Sequence, residues 1–224
     1  MQLSHDRGYK GAGMEGRIAY WYARNTAKDS AQFQVLAQRL ASETPAQARI
    51  LEVAPGPGYL AIELAKRGQY RITGLDISKT FVAIASANAR AARVEIDFQQ
   101  GNASAMPFAA DTFDLILCRA AFKNFSQPIQ ALDEMHRVLK AGGRALIIDL
   151  RKDASLADID AYIKDANLGW MNSMLYKVTF RYMLLPRAYS QEQFFEMAAS
   201  SRFGGAEVNG SGIGFEITLT KRRQ

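Results

Sequence analysis

Ile50-Leu51-Glu52-Val53-Ala54-Pro55-Gly56-Pro57-Gly58 is the stretch that decides how this chain folds. Apolar residues over 49–54 predict a short buried strand. Two prolines and two glycines then forbid its continuation. Apolar residues over 59–67, closed by Gly68, predict a helix directly after the loop. Strand, small-residue loop and helix in this order put the loop at the carboxyl end of a central strand, where open α/β sheets bind ligands. Ala54, Gly56 and Gly58 let a ligand approach the backbone. The first N–H groups of the helix are free to meet a carboxylate.

The same alternation continues downstream. Strands are predicted over 71–75, 94–99, 113–118 and 144–150. Helices are predicted over 79–92, with Ser78 as N-cap, and over 129–139, stopped by Gly142-Gly143. The run over 113–118 is continuously apolar, as for a strand buried on both faces. This pattern means a parallel sheet with helices on both sides. Upstream, 31–42 reads as an amphipathic helix with Phe33, Leu36, Ala37 and Leu40 on one face. Residues 1–30 read as a glycine-punctuated flexible arm in which Ile18, Tyr20, Trp21 and Tyr22 supply apolar surface to bury. Residues 155–187 read as a mostly helical insertion rich in methionine and aromatics. Ser190 caps a helix over 191–201, and strands over 207–209 and 215–220 close the chain as a hairpin around Gly210-Ser211-Gly212-Ile213-Gly214.

Two nucleotide ligands compete for the first loop. Gly56, Gly58 and Ala61 spell G-x-G-x-x-A, which also fits a dinucleotide fingerprint. Pro55 and Pro57 argue against it, because each removes an N–H from the segment that would cradle a pyrophosphate. S-adenosylmethionine has no phosphate, and Glu52 supplies an anion for its ammonium just ahead of the loop. Asp76, ending the second strand in Gly74-Leu75-Asp76-Ile77-Ser78, suits either nucleoside by accepting both ribose hydroxyls. In Gly101-Asn102-Ala103 the amide of Asn102 can meet an adenine edge, with Ile77 packing on the ring, although Asn102 equally suits a turn. Arg119, following the fourth strand, either approaches the ligand carboxylate or caps the strand.

The ordered set Glu52…Gly56-Pro57-Gly58, Asp76, Gly101-Asn102-Ala103…Met106-Pro107-Phe108, Phe113-Asp114 and Arg137-Val138-Leu139-Lys140-Ala141-Gly142-Gly143 resembles the class I S-adenosylmethionine-dependent methyltransferases. It is nearest the ubiquinone/menaquinone-biosynthesis type of small-molecule enzyme. The resemblance covers about residues 45–150. It implies a Rossmann-like three-layer sandwich with a seven-stranded, mostly parallel sheet whose last strand is antiparallel. It implies S-adenosyl-L-methionine as cofactor, contacted by Glu52, Ala54, Gly56, Gly58, Asp76, Ile77, Asn102, Ala103 and Arg119. Residues 1–44 would form an arm and helix covering the site, and 45–224 a methyltransferase domain with an acceptor lid at about 155–187. Tyr22, Phe122, Trp170 and Met174 are then the candidate acceptor contacts, against the plainer reading that they are core. Three positions depart from the family pattern. Ala54 stands where glycine is usual, Asn102 for a common aspartate, and Ala141 for a common proline.

Composition narrows the function further. The chain has 224 residues, 48% hydrophobic and 22% charged, which suits one α/β domain with a full core. Its net charge of +6 is scattered, with only Lys221-Arg222-Arg223 as a run, and there is no Asn-Pro-Pro-Tyr-type loop after the fourth strand. Methylation of nucleic acid or protein is therefore the second reading, behind a small apolar or aromatic acceptor. A non-catalytic S-adenosylmethionine-binding module is the alternative from another class. One cysteine, Cys118, excludes an internal disulfide and a multi-cysteine metal site, fits a cytoplasmic protein, and no metal is expected. No stretch approaches the ~20 apolar residues of a membrane span, and a homodimer is compatible with the sequence. No residue stands out as a general base, so the catalytic residue is unknown.

Overall fold

The computed structural model describes residues 8–10, 13–165, 181 and 184–223. Parallel strands β1 (Arg49–Val53), β2 (Arg71–Asp76), β3 (Asp97–Gln100), β4 (Phe113–Arg119) and β5 (Leu139–Leu150) are joined by helices α3 (Tyr59–Ala65), α4 (Lys79–Ala91) and α5 (Pro128–Val138). Helices α1 (Gly16–Thr26) and α2 (Ser30–Glu43) precede them. Helices α6 (Leu156–Asp165) and α7 (Gln191–Ser200) and the hairpin β6 (Glu207–Ser211) and β7 (Gly214–Thr220) follow. The seven strands lie in the order β3-β2-β1-β4-β5-β7-β6, and β7 runs antiparallel to β5. The expected fold class is the one observed. Strand order reverses between β1 and β4, and that switch point is where a ligand crevice opens.

Side chains alternate between the faces of a strand, and this divides the core. Leu51, Val53, Ile116, Cys118, Ala145 and Ile147 face α5 and α7, where Leu132, Met135 and Phe194 complete one layer. Ile50, Leu115, Leu117 and Leu146 face α2 and α3, packing on Phe33, Leu40, Leu60 and Leu64. Glu52 shares the parity of Ile50, and Arg119 that of Leu117. Both therefore reach the carboxyl edge on the α2 side.

Four local expectations are revised. Residues 16–26 are helical, not a flexible arm, and the surface they bury is not aromatic. Ala19 and Ala23 pack against Phe81 and Ile84 of α4, whereas Ile18, Tyr20 and Trp21 are 52%, 59% and 66% exposed. Small residues at i and i+4 let two helices approach closely, and the large ones are turned outward. Second, β5 begins at Leu139 and takes in Gly142 and Gly143. A Cβ on Gly143 would lie 2.9 Å from the Asp114 carbonyl oxygen, so glycine here serves strand approach and does not stop the helix. Third, β3 starts only at Asp97, because Arg93 turns left-handed at φ 58° as α4 ends. Fourth, the hairpin turn is just Gly212-Ile213, with φ 53° at Gly212. A glycine at the first turn position is what a two-residue hairpin needs. Both predicted N-caps are observed: Ser78 accepts from Phe81 N at 3.0 Å, and Ser190 forms a capping box with Gln193.

Candidate active site

The loop after β1 is built by backbone geometry. Ala54, at φ 55°, donates its N–H to the Leu75 carbonyl at 2.8 Å. Gly58 N donates to the Pro55 carbonyl at 3.0 Å, closing the turn. Gly56 and Gly58 are both left-handed, at φ 55° and 79°, but for different ends. A Cβ on Gly58 would lie 2.8 Å from Phe98 Cζ and 3.0 Å from Ala85 Cβ, so this glycine lets β3 and α4 close on the loop. A Cβ on Gly56 would meet only the Tyr22 ring edge, at 4.0 Å. Space is open there, over the carboxyl edge of the sheet.

Two buried carboxylates flank that space. Glu52 is 4% exposed, and its Oε2 has no hydrogen-bond partner. Burial pushes its carboxyl up to about 8, an effect only partly offset by a hydrogen bond from the Ala61 backbone N–H and by the positive charge of Arg119. Asp76 ties the first two βα loops together. Its Oδ2 accepts from Gly56 N at 3.0 Å and its Oδ1 from Ser78 N at 2.9 Å. Burial raises it to about 6, against those two hydrogen bonds. Each Asp76 oxygen keeps a second lone pair for a further donor. An ammonium would meet the orphaned Glu52 oxygen, a pair of hydroxyls would meet Asp76, and the Gly56 cradle has room for the group that carries them. This set of acceptors fits S-adenosylmethionine.

The third loop is partly committed. Asn102 Oδ1 accepts from Ser104 N at 2.9 Å, so one lone pair of its oxygen serves the turn, and its amide N–H₂ is available to a base edge. Ala103 packs half-buried against the core. Gly8 lies over this spot: a Cβ on it would be 2.7 Å from Ile77 Cδ1 and 2.8 Å from Asn102 Nδ2. Tyr9 bridges to Phe125, and Lys10 N donates to the Asn124 carbonyl at 2.7 Å, pinning this strap to the loop after β4. Farther along the arm, Glu15 accepts from Lys79 N at 2.9 Å and Thr80 N at 3.1 Å, capping α4. Gly8, Tyr9 and Lys10 escaped sequence reasoning. The glycine cluster gave a signal, but one indistinguishable from that of a loose tail.

The other candidates separate. Arg119 stacks 4.6 Å above the Phe33 ring and reaches Gln32 Oε1 at 3.2 Å, on the α2 side of Glu52. Tyr22 packs edge-on to Phe81 at 5.7 Å, beside the Gly56 cradle. Phe122 is corrected: it is 1% exposed, enclosed by Phe125, Tyr189 and Phe194, and is core, not pocket wall. Trp170 and Met174 lie outside the described residues. Cys118 is buried, its thiol raised by burial, which leaves it no thiolate character. Among the described residues no group of three or more metal-type ligands occurs, and no helix is long and apolar enough to cross a membrane.

A buried ion pair was also missed. Lys123 Nζ donates to Asp149 Oδ1 at 2.6 Å and to the Ala120 carbonyl at 2.8 Å, and Lys123 N donates to Asp149 Oδ2 at 3.0 Å. The signal for it was a lone acid ending an otherwise apolar strand, the same signature that marked Asp76.

Comparison with known proteins bears on this site. A model described as a methyltransferase domain matches residues 51–147. A demethylmenaquinone methyltransferase from Chlorobaculum parvum is 33% identical over 195 residues, 84% of this chain and 75% of that protein. A ubiquinone/menaquinone biosynthesis C-methyltransferase, UbiE, from Roseobacter denitrificans is 32% identical over 117 residues, 51% of this chain and 47% of that one. The crystal structure of a protein from Methanococcus maripaludis, assigned to the S-adenosyl-L-methionine-dependent methyltransferases, shares the fold. Its TM-score is 0.73 at 22% identity, covering 96% of this chain and 97% of that one. Motif order, switch-point crevice and relatives agree: the chain belongs to the class I S-adenosylmethionine-dependent methyltransferases of the ubiquinone/menaquinone type.

Proposed function

We propose that this enzyme methylates a small aromatic molecule held beside the carboxyl ends of β4 and β5. The observation that carries the reading is Glu52, a buried carboxylate with an unpartnered oxygen beside an open glycine cradle at the sheet's switch point. The names of the two relatives, both methyltransferases of quinone biosynthesis, support a small acceptor.

When bound, S-adenosylmethionine supplies a methyl group on a sulfonium, which is already electrophilic. The protein's task is to hold and orient. Glu52 takes the ammonium, Asp76 accepts the ribose hydroxyls, and Asn102 Nδ2 with Ile77 takes the adenine. Ala54, Gly56, Gly58 and Ala103 keep the backbone close, and Arg119 sets the charge around Glu52. In this reading residues 1–44 cover the cofactor, and the segment at about 155–187, with Trp170 and Met174, closes on the acceptor. Alignment at near-attack distance and exclusion of water then supply the rate. No general base is assigned, and the acceptor reacts in its own ionised form or by proximity. We place the enzyme in the cytoplasm, where the free thiol of Cys118 stays reduced, as a monomer or a homodimer.

The test is conversion of S-adenosylmethionine to S-adenosylhomocysteine with quinols, phenols and aromatic acids, with the product identified by mass spectrometry as one methyl heavier. Turnover only on oligonucleotide or protein would move the reading to a macromolecular acceptor. Binding of the cofactor with no turnover on any acceptor would make the protein a binding module.

A further inference from the structure

Beside the cofactor crevice lies a second cavity, of about 390 Å³, between the Gly8–Lys10 strap, the loops after β4 and β5, and the segment before α7. That volume lies in the range of small-molecule sites. Among the described residues, four cationic side chains line it, Lys10, Lys123, Lys152 and Arg187, together with Tyr189, and no aspartate or glutamate does.

The charges are held in place and incompletely matched. Lys123 is 8% exposed and spends two of its three N–H groups, on Asp149 and on the Ala120 carbonyl. Asp149 accepts from Lys123 Nζ and Leu150 N at Oδ1 and from Lys123 N at Oδ2, and its ion pair is with Lys123. Lys10 Nζ donates to the Tyr189 hydroxyl at 2.7 Å. The Tyr189 oxygen is then an acceptor toward Lys10, and its own proton is free to be donated elsewhere. Lys152 and Arg187 make no ion pair among the described residues. The backbone fixes the arrangement: Lys10 N donates to the Asn124 carbonyl at 2.7 Å and Lys152 N to the Tyr189 carbonyl at 2.9 Å. Like charges gathered this way repel one another. An anion among them would remove that cost and collect the unused N–H and O–H donors. Gly8 of the same strap lies against Ile77 and Asn102, two residues from Lys10 in the cavity wall, so the strap joins the cavity to the crevice.

We infer that this cavity binds an oxyanion, a carboxylate or a phosphate, carried by the methyl acceptor. The acceptor is then an anionic aromatic molecule, with its charged group anchored by Lys152, Arg187, the third N–H of Lys123 and the Tyr189 hydroxyl. The inference rests on the small-molecule reading and narrows it.

The experiment is calorimetry on the S-adenosylhomocysteine-loaded protein with three probes: benzoate, its neutral analogue benzamide, and inorganic phosphate. Benzoate is expected to bind with a 1:1 stoichiometry and benzamide at least tenfold more weakly. Lys152→Ala/Arg187→Ala should weaken benzoate by tenfold or more while S-adenosylhomocysteine affinity stays within about threefold. Lys152→Glu should do the same alone. Arg71→Ala/Arg222→Ala removes equal charge at the amino edge of the sheet and should leave benzoate unchanged. Binding of phosphate but not benzoate supports the anion site and assigns it to a phosphorylated acceptor. Benzamide binding as well as benzoate, no binding of either anion, or equal loss in the distant charge control would overturn the inference. Failure of S-adenosylhomocysteine to bind in the first place would instead overturn the cofactor reading, and anion binding can then be measured on the unliganded protein.

Discussion

At the scale of single residues, the site is a set of groups whose costs are recovered only with a ligand. Glu52 is buried without a full complement of partners, and Ala54 sits at φ 55°, where a side chain strains the backbone. Ala54→Gly should therefore raise stability by up to about 1 kcal/mol, the left-handed penalty of about 1–2 kcal/mol less the extra unfolded-state entropy of glycine. A fall in stability on urea denaturation would show that the Ala54 methyl packs usefully. Glu52→Gln should raise the melting temperature of the cofactor-free protein near pH 8, where ionising the native glutamate in the core is costly, and weaken S-adenosylmethionine. Asp76→Ala should weaken the cofactor by about 1.5–3 kcal/mol, the range for hydrogen bonds to a charged group. Asp76→Asn separates this from loop damage, since it keeps one oxygen for Gly56 N or Ser78 N. An unchanged dissociation constant in Asp76→Ala would remove Asp76 from the site.

At the scale of elements, burial decides what an aromatic residue does. Trp21 on the outer face of α1 is 66% exposed, while Phe122 at the start of the loop after β4 is 1% exposed. Trp21→Ala should change stability by no more than about 0.5 kcal/mol, whereas Phe122→Ala should cost about 3–5 kcal/mol. Comparable costs on chemical denaturation would mean that the face of α1 is covered in solution. These two residues also show how far the sequence could be read. The alternation of strands and helices, the β1 loop and Asp76 were legible because each is a local pattern: an apolar run ended by small residues, or by one misplaced charge. The helix α1 was not, because its buried face is Ala19 and Ala23 and its apolar bulk points to solvent. The bulky apolar residues therefore suggested the wrong buried surface. Gly142 and Gly143 read as a helix stop because the close approaches they permit, of Arg223 to Gly142 and of the Asp114 carbonyl to Gly143, are tertiary facts. Lys10, Lys123, Lys152 and Arg187 are far apart in the chain, and nothing in their local sequence announces that one cavity joins them.

At the scale of the whole molecule, the two buried carboxylates couple folding to pH, and in the proposed pose they should couple cofactor binding to it as well. Both have folded values raised above their unfolded ones: Glu52 to about 8 from 4.5, and Asp76 to about 6 from 3.8. A group raised in this way contributes stability that is complete below its unfolded value and lost as pH rises through its folded value. The cofactor-free protein should therefore lose stability between about pH 4 and pH 8, by roughly 1.4 kcal/mol for each unit of pKa difference crossed. In the proposed pose the bound cofactor should reverse the effect at Glu52. An ammonium against the carboxylate favours the ionised form, so binding near pH 7 expels a proton, and affinity rises with pH. Asp76 acts in the same direction, because its ionised form is the better acceptor for hydroxyls. Binding to the folded state alone stabilises by RT ln(1 + [L]/Kd), so the rise in melting temperature at a fixed excess of S-adenosylmethionine should be larger at pH 7 than at pH 5.5. Calorimetry at pH 7 in buffers of different ionisation enthalpy should report proton release, and Glu52→Gln should lose most of it. A melting increment that is equal or smaller at pH 7, with no proton released, would mean that the ammonium does not meet Glu52 and that the cofactor enters the crevice in another orientation.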